Sequence, residues 1–175
     1  MPALIPTDSR LNTLHPDARF PLCLLIDRVW KELGINLEPF DFYRGAAAQA
    51  VAFNTNASTK RHGESWHNIC LPDGTQASLA AHVRVVLPAQ RFLGFGDSRL
   101  EPPNAKRLHV DLWSDKVGER LTAEQMIYAA VGLKAEEIGW RTGARWSGLQ
   151  DWCHIEWRSR WPTIASALAS GEFIT

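Results

Sequence analysis

From Leu79 to Leu87 the chain alternates. Leu79, Ala81, Val83, Val85 and Leu87 share one face of an extended segment, and Ala80, His82, Arg84 and Val86 share the other. Period-two patterning of this kind belongs to a strand with one face packed on a core. The segment therefore commits the chain to a sheet and sets His82 opposite the greasy face.

The elements around it follow from spacing and end signals. Pro16-Asp17 opens a helix in which Leu22, Leu25, Ile26, Val29, Trp30 and Leu33 recur every three or four residues, and Gly34 closes it. Ile35 to Phe42 reads as a short strand, followed by the turn-like Tyr43-Arg44-Gly45 and an alanine-rich helix from Ala46 to Phe53. Asn54 to Glu64 is a polar loop, Leu71-Pro72-Asp73-Gly74 a turn, and Ala89 to Ala105 an irregular Gly/Pro-rich excursion. Leu108 to Trp113 alternates again, with His109 and Asp111 on one face. Thr122 and Gln125 resemble a capping box for a helix to about Leu133, and Gly143 to Gly148 is a loop. Cys153 to Trp157 reads as a strand with Trp152, His154 and Glu156 on one face and Cys153, a small hydrophobe, on the other. Thr163 caps a last helix ending near Gly171. Helices at both ends with strands between them predict an α+β fold with an antiparallel sheet.

A length of 175 residues predicts one domain over residues 1–175. Net charge near zero gives no electrostatic reason to expect nucleic acid or an anionic membrane as partner. Three cysteines, Cys23, Cys70 and Cys153, are too few and too scattered for a disulfide framework. Met1 to Arg10 lacks a basic stretch followed by an apolar run, so no signal peptide is expected and the cytoplasm is the expected compartment. Five of the eight tryptophans, Trp140, Trp146, Trp152, Trp157 and Trp161, crowd the C-terminal region, where they either pack the core or line a groove.

Chemistry concentrates in Asp151-Trp152-Cys153-His154-Ile155-Glu156 and in Ser65-Trp66-His67-Asn68. His154 stands between two carboxylates, and His67 follows a loop of turn-forming residues. Histidines from separate segments with a free carboxylate and an arginine are the parts of a catalytic zinc site. Asp151, three residues before His154, either takes a proton from the attacking water or caps the turn before the strand.

The ordered set resembles the zinc peptidases of the DD-carboxypeptidase/VanY and VanX group, above all phage endolysins of the L-alanyl-D-glutamate peptidase type. The motifs carrying the resemblance are the proline-started helix at Leu14-His15-Pro16, Tyr43-Arg44 with Gln49, Ser65-Trp66-His67-Asn68, Ala80-Ala81-His82 and Asp151-Trp152-Cys153-His154-Ile155-Glu156. They span about residues 10 to 160. The resemblance implies a Hedgehog/DD-peptidase-like fold whose sheet carries Zn2+ on His67, His82 and His154. His82 stands where the family has aspartate, which leaves Asp111 as a rival ligand and a degenerate, binding-only site as the alternative. The resemblance further implies Asp151 as general base, Arg44 as oxyanion stabiliser, Glu156 as a support for a ligand histidine or a second candidate base, and Ser65 and Gln49 as substrate-binding or site-holding residues. The implied partner is the peptidoglycan stem peptide, cut between L-Ala and D-Glu or at D-Ala-D-Ala. The implied actor is a monomeric endolysin that waits in the cytoplasm until lysis and then acts on the wall in the periplasm.

Overall fold

The computed structural model describes residues 9–86, 123–146, 150–158 and 160–175. The expected excursion at Ala89–Ala105, the alternating segment with His109 and Asp111, and the cap residue Thr122 lie outside the described residues.

Helix α1 spans Pro16–Leu33. Pro16 suits its first turn because a proline there forfeits only an N–H that has no helical partner. His15 caps the turn, its Nδ1 accepting from the Asp17 amide at 3.2 Å. At the other end Gly34 takes the left-handed conformation (φ 66°), and its N–H returns to the Trp30 carbonyl at 3.0 Å. The stripe formed by Ala18, Leu22, Leu25, Ile26 and Val29 is buried.

Strand β1 (Asn36–Asp41), helix α2 (Ala46–Asn54), strand β2 (Ala80–Val86), helix α3 (Ala123–Glu136), strand β3 (Trp140–Thr142), strand β4 (His154–Trp157) and helix α4 (Ile164–Ala169) follow. The strands form an antiparallel sheet in the order β1-β2-β4-β3, so the fold is α+β. On one face Leu37, Ala81, Val83 and Ile155 join Leu22, Leu25, Ile26 and Val29 of α1 and Val131 and Ala135 of α3 in a continuous core. The opposite face of β2 and β4 carries His82 and His154.

Register decides what meets on that opposite face. His82 pairs directly with His154, and Asp41 pairs with His82. On β1 the pairing steps from Pro39 to Asp41 while β2 moves only from Val83 to His82. This bulge puts an extra residue into β1 and re-aims Asp41. The result is a row of Asp41, His82 and His154 across three strands.

Several expectations shift. The strand β3 was not anticipated. It is three residues long, too short for a periodicity signal, and its Trp140 is buried in the core rather than lining a groove. Helix α3 continues one turn past Leu133. The last strand begins at His154, so Cys153 sits in the preceding turn and strand alternation does not govern it. The face of β2 opposite the core is buried at Ala80 and His82 and exposed at Arg84 and Val86. The capping box at Thr163 is present, with Oγ1 accepting from the Ser166 amide at 3.0 Å and Ser166 Oγ accepting from the Thr163 amide at 3.1 Å.

The segment read as a loop at Gly143 also holds the site. A Cβ on Gly143 would lie 2.5 Å from the Asp151 carbonyl oxygen and 3.1 Å from the His154 Cβ. Only a residue without a side chain lets the two segments approach this closely, and the Asp151 amide bonds to the Gly143 carbonyl at 3.2 Å.

Leu25 is fully buried between α1 and the sheet. Leu25→Ala is expected to lower unfolding free energy by about 2–5 kcal/mol, because it loses apolar burial and leaves a cavity. Urea denaturation of the two proteins measures the difference, and a change well under 1 kcal/mol would contradict this packing.

Candidate metal centre

Three imidazoles meet beneath one cleft. His82 and His154 come from the paired strands β2 and β4. His67 comes from the Ser65–Asn68 turn, which is pinned on two sides: the Arg44 amide bonds to the His67 carbonyl at 2.8 Å, and the Leu79 amide to the Trp66 carbonyl at 3.1 Å. The His67 ring stacks on His82 with centroids 4.8 Å apart and planes 10° apart. His154 Nδ1 lies 3.4 Å from His67 Nε2 and 3.2 Å from His82 Nε2. All three residues are buried.

The far nitrogen of each ring has its own acceptor. His67 Nδ1 meets the Phe42 carbonyl oxygen, His82 Nδ1 meets Asp41 Oδ2 at 3.1 Å, and His154 Nε2 meets Glu156 Oε1 at 3.2 Å. A ring that donates through its far nitrogen leaves a lone pair on the near one. Three such lone pairs so close repel one another unless a proton or a cation lies among them. Outer acceptors that fix the tautomer in this way are the ordinary companions of metal-ligating histidines. The three near nitrogens form a group that could hold a metal ion.

Asp151 stands beside this group. Its Oδ2 is 3.0 Å from His82 Nε2 and 3.9 Å from His154 Nδ1. Burial alone would raise its carboxyl, but the bond from His82, the charges of His82 and His154 and the bond from Cys153 together outweigh that and hold it at about 2. Burial likewise opposes charging His82, yet Asp151 and Asp41 together raise it above its ordinary value. His67 moves the other way: burial, then the neighbouring His154 and His82, push it well below the ordinary histidine range. Asp41 is buried enough to be raised, and is instead held well below the usual carboxylate range by His82, His67 and Arg44.

The other expected site residues are placed unevenly. Arg44 lines the cleft, its guanidinium 2.5 Å from Asp41 Oδ2 and 3.4 Å from Gln49 Oε1. Gln49 does not face the cleft. It is fully buried behind Arg44, donating to Ser58 Oγ at 3.0 Å and to the Lys60 carbonyl, so its amide ties the polar loop to α2 instead of offering itself to a substrate. Ser65 lines the cleft and its Oγ accepts from the His67 amide at 3.3 Å. Glu156 lines the cleft, its Oε1 meets the far nitrogen of His154 and it also pairs with Arg158, so it anchors the His154 ring. Asp111, the rival ligand, lies outside the described residues. Cys153 departs from its reading as a buried hydrophobe: it is only partly buried, and its Sγ lies 3.2 Å from Asp151 Oδ1. Burial and then the Asp151 charge push that thiol up to about 12.

Asp41 was not foreseen. It lies in Phe40-Asp41-Phe42-Tyr43-Arg44, three residues before the expected arginine, but its two partners become visible only once the bulge in β1 is known. Above the cluster the cleft encloses about 740 Å³, with Lys60 and Arg145 at its walls. Trp146, one of the five C-terminal tryptophans, lies against His154 with ring centroids 4.8 Å apart and lines the cleft. Trp161 packs instead on His15 and Phe173 in the core.

No protein-family model and no curated protein matches the chain. Among solved structures it is similar to the L-Ala D-Glu endopeptidase ChiX of Serratia marcescens, with a TM-score of 0.51 at 15% sequence identity over 86% of each chain. At that identity the likeness is one of fold: helices around an antiparallel sheet arranged as in that peptidase.

The pair formed by Asp151 and His82 makes the metal-free protein sensitive to pH in both directions. Asp151 is depressed from 3.8 to about 2, so its contribution is present above 3.8 and is lost as pH falls through about 2. His82 is raised above 6.5, so its contribution is present below 6.5 and is lost as pH rises through that raised value. Stability of the metal-free protein is expected to be greatest between these limits, and Asp151→Asn should flatten both flanks. Urea midpoints across the pH range measure this, and identical profiles for the two proteins would rule the pair out.

Proposed function

We propose that this chain is a zinc-dependent peptidase of the peptidoglycan stem peptide, built as one domain over residues 1–175 with a Hedgehog/DD-peptidase-like fold. The observation that carries the reading is the convergence of the three near nitrogens of His67, His82 and His154, with Asp151 alongside and every far nitrogen engaged. Zinc–nitrogen bonds of about 2.0–2.1 Å in a tetrahedron put neighbouring nitrogens about 3.3–3.4 Å apart. The observed 3.4 and 3.2 Å fit that spacing. Three imidazoles and a nearby carboxylate also suit zinc better than they suit magnesium or calcium, which favour oxygen.

His67, His82 and His154 would hold the zinc, which when bound supplies a Lewis acid that polarises the scissile carbonyl and makes water a better nucleophile. The protein's own groups do the rest. Asp41 and Glu156 fix the ring orientations of His82 and His154. Asp151 has no arginine partner among the described residues, unlike Asp41 with Arg44 and Glu156 with Arg158. Its carboxylate, beside the nitrogens that would hold the zinc, is placed to take the proton of the attacking water and return it to the leaving amine. Arg44, held by Asp41 at the cleft wall, would donate to the carbonyl oxygen as negative charge develops there. Ser65 and Trp146 offer a hydroxyl and an aromatic surface beside the scissile bond.

The choice of bond, L-Ala to D-Glu, rests on the motif resemblance and on the fold shared with an L-Ala D-Glu endopeptidase. An endolysin role, held back until the membrane is breached, rests on the motif resemblance alone. No helix among the described residues is long and apolar enough to cross a membrane.

Purified sacculi incubated with the zinc-loaded protein should release stem peptides with a free N-terminal D-glutamate, identified by mass spectrometry. Free D-alanine as the only product would make the protein a carboxypeptidase. Intact muropeptides would leave the binding-only alternative. Asp151→Asn should retain zinc while hydrolysis falls by roughly 10²- to 10⁴-fold. Asp41→Asn should instead weaken zinc binding by about 10- to 100-fold, the usual effect of losing an outer partner of a ligand histidine. Competition with a chromogenic chelator separates the two effects.

A further inference from the structure

Cys153 takes no part in the mechanism above, yet it stands against two residues that do. The turn before β4 leaves its Sγ 3.2 Å from Oδ1 of Asp151, while Oδ2 of the same carboxylate lies 3.0 Å from Nε2 of His82. His82, Asp151 and Cys153 each present one donor atom, and these three atoms lie within 4.8 Å of one another. The carboxylate thus has an imidazole at one oxygen and a thiol at the other. Asp151 and Cys153 are only partly buried, in contrast to the three histidines. A donor set with sulfur differs in kind from the all-imidazole set beside it, because thiolate favours soft, polarisable cations.

We propose that His82, Asp151 and Cys153 form an alternative metal site, which shares His82 with the three-histidine site and is filled in its place, and which takes thiophilic divalent cations such as Cd2+. When the ion enters, a sulfur–metal bond forms and the thiol proton leaves to solvent, with no change of oxidation state. The consequence for catalysis rests on the peptidase reading: an ion here occupies the Asp151 carboxylate, so cadmium blocks hydrolysis in a manner that depends on Cys153.

The test titrates metal-free protein with cadmium chloride, following sulfur-to-cadmium charge-transfer absorption in the ultraviolet, and separately measures cadmium inhibition of the zinc-loaded protein. The band should appear in the wild type and persist in the Cys23→Ser/Cys70→Ser variant, where Cys153 is the remaining thiol. It should vanish in Cys153→Ser, and the cadmium needed for half-inhibition should rise at least about tenfold, since losing a direct ligand costs no less than losing an outer partner. A band absent from the wild type, lost in the double variant, or unchanged in Cys153→Ser would overturn the site, and one unchanged in His82→Ala would remove His82 from it. If Cys153→Ser fails to fold, the double variant decides alone. Absence of hydrolysis counts against the peptidase reading only, because the absorption is read without substrate.

Discussion

The cross-strand row of Asp41, His82 and His154 is the constraint on which the rest of the site depends. It exists because β2 and β4 pair with His82 opposite His154, and because a bulge in β1 brings Asp41 opposite His82. A sheet has side-chain period two, so a slip of one residue between β2 and β4 would send one histidine into the helix-packed core. That slip is opposed from the other face, where Ala81, Val83 and Ile155 are locked into the cluster with α1 and α3. The apolar face sets the register, and the register sets the site.

Burying three imidazoles beside each other is unfavourable unless their polar atoms are satisfied. The fold meets this with an outer layer of acceptors: a backbone carbonyl for His67 and a carboxylate each for His82 and His154. Two of the three carboxylates around the cluster are in turn matched by an arginine, Asp41 by Arg44 and Glu156 by Arg158. Among the described residues Asp151 is matched only by the cluster itself and by Cys153, and by no arginine. Its position next to the cluster separates its chemistry from that of the other two carboxylates.

Residues behind the cleft walls support these distances. Gly143 admits the Asp151 turn to within contact of the 3-10 segment that follows β3. Ile174 and Cys70 exchange backbone bonds at 2.8 Å, tying the C-terminal segment to the chain just after the His67 turn. Gln49 and Asn68 support Arg44 from behind, Asn68 donating to the Arg44 carbonyl at 2.6 Å. Similarity of fold to an endopeptidase does not by itself assign an activity to this chain, since one fold hosts many chemistries. What sets this chain apart is the side chains that its fold brings together, three imidazoles with a carboxylate beside them.

Local signals alone were enough for α1, with its proline start, its 3.6-residue stripe and its glycine stop, and for α4, with its threonine cap. They were enough for β2, whose alternation set His82 apart from the core. The sequence also singled out His67, His154 and Asp151, because a turn-rich loop and a carboxylate–histidine–carboxylate string are local patterns. It was silent on β3, whose three residues carry no period, and on which side of the His154 ring each carboxylate takes. It misplaced Cys153, because a one-residue change in where β4 begins reverses what alternation implies for the residue before it. It left Gln49 between binding substrate and holding the site, and the side chain is enclosed against Arg44, Ser58 and Lys60. Asp41 drew no attention at all. Its role comes from a bulge and from two partners, Arg44 nearby and His82 forty-one residues away, and such a meeting is decided only when the strands pair. Periodicity is a property of neighbours along the chain, whereas the distances between imidazole nitrogens are a property of register and packing.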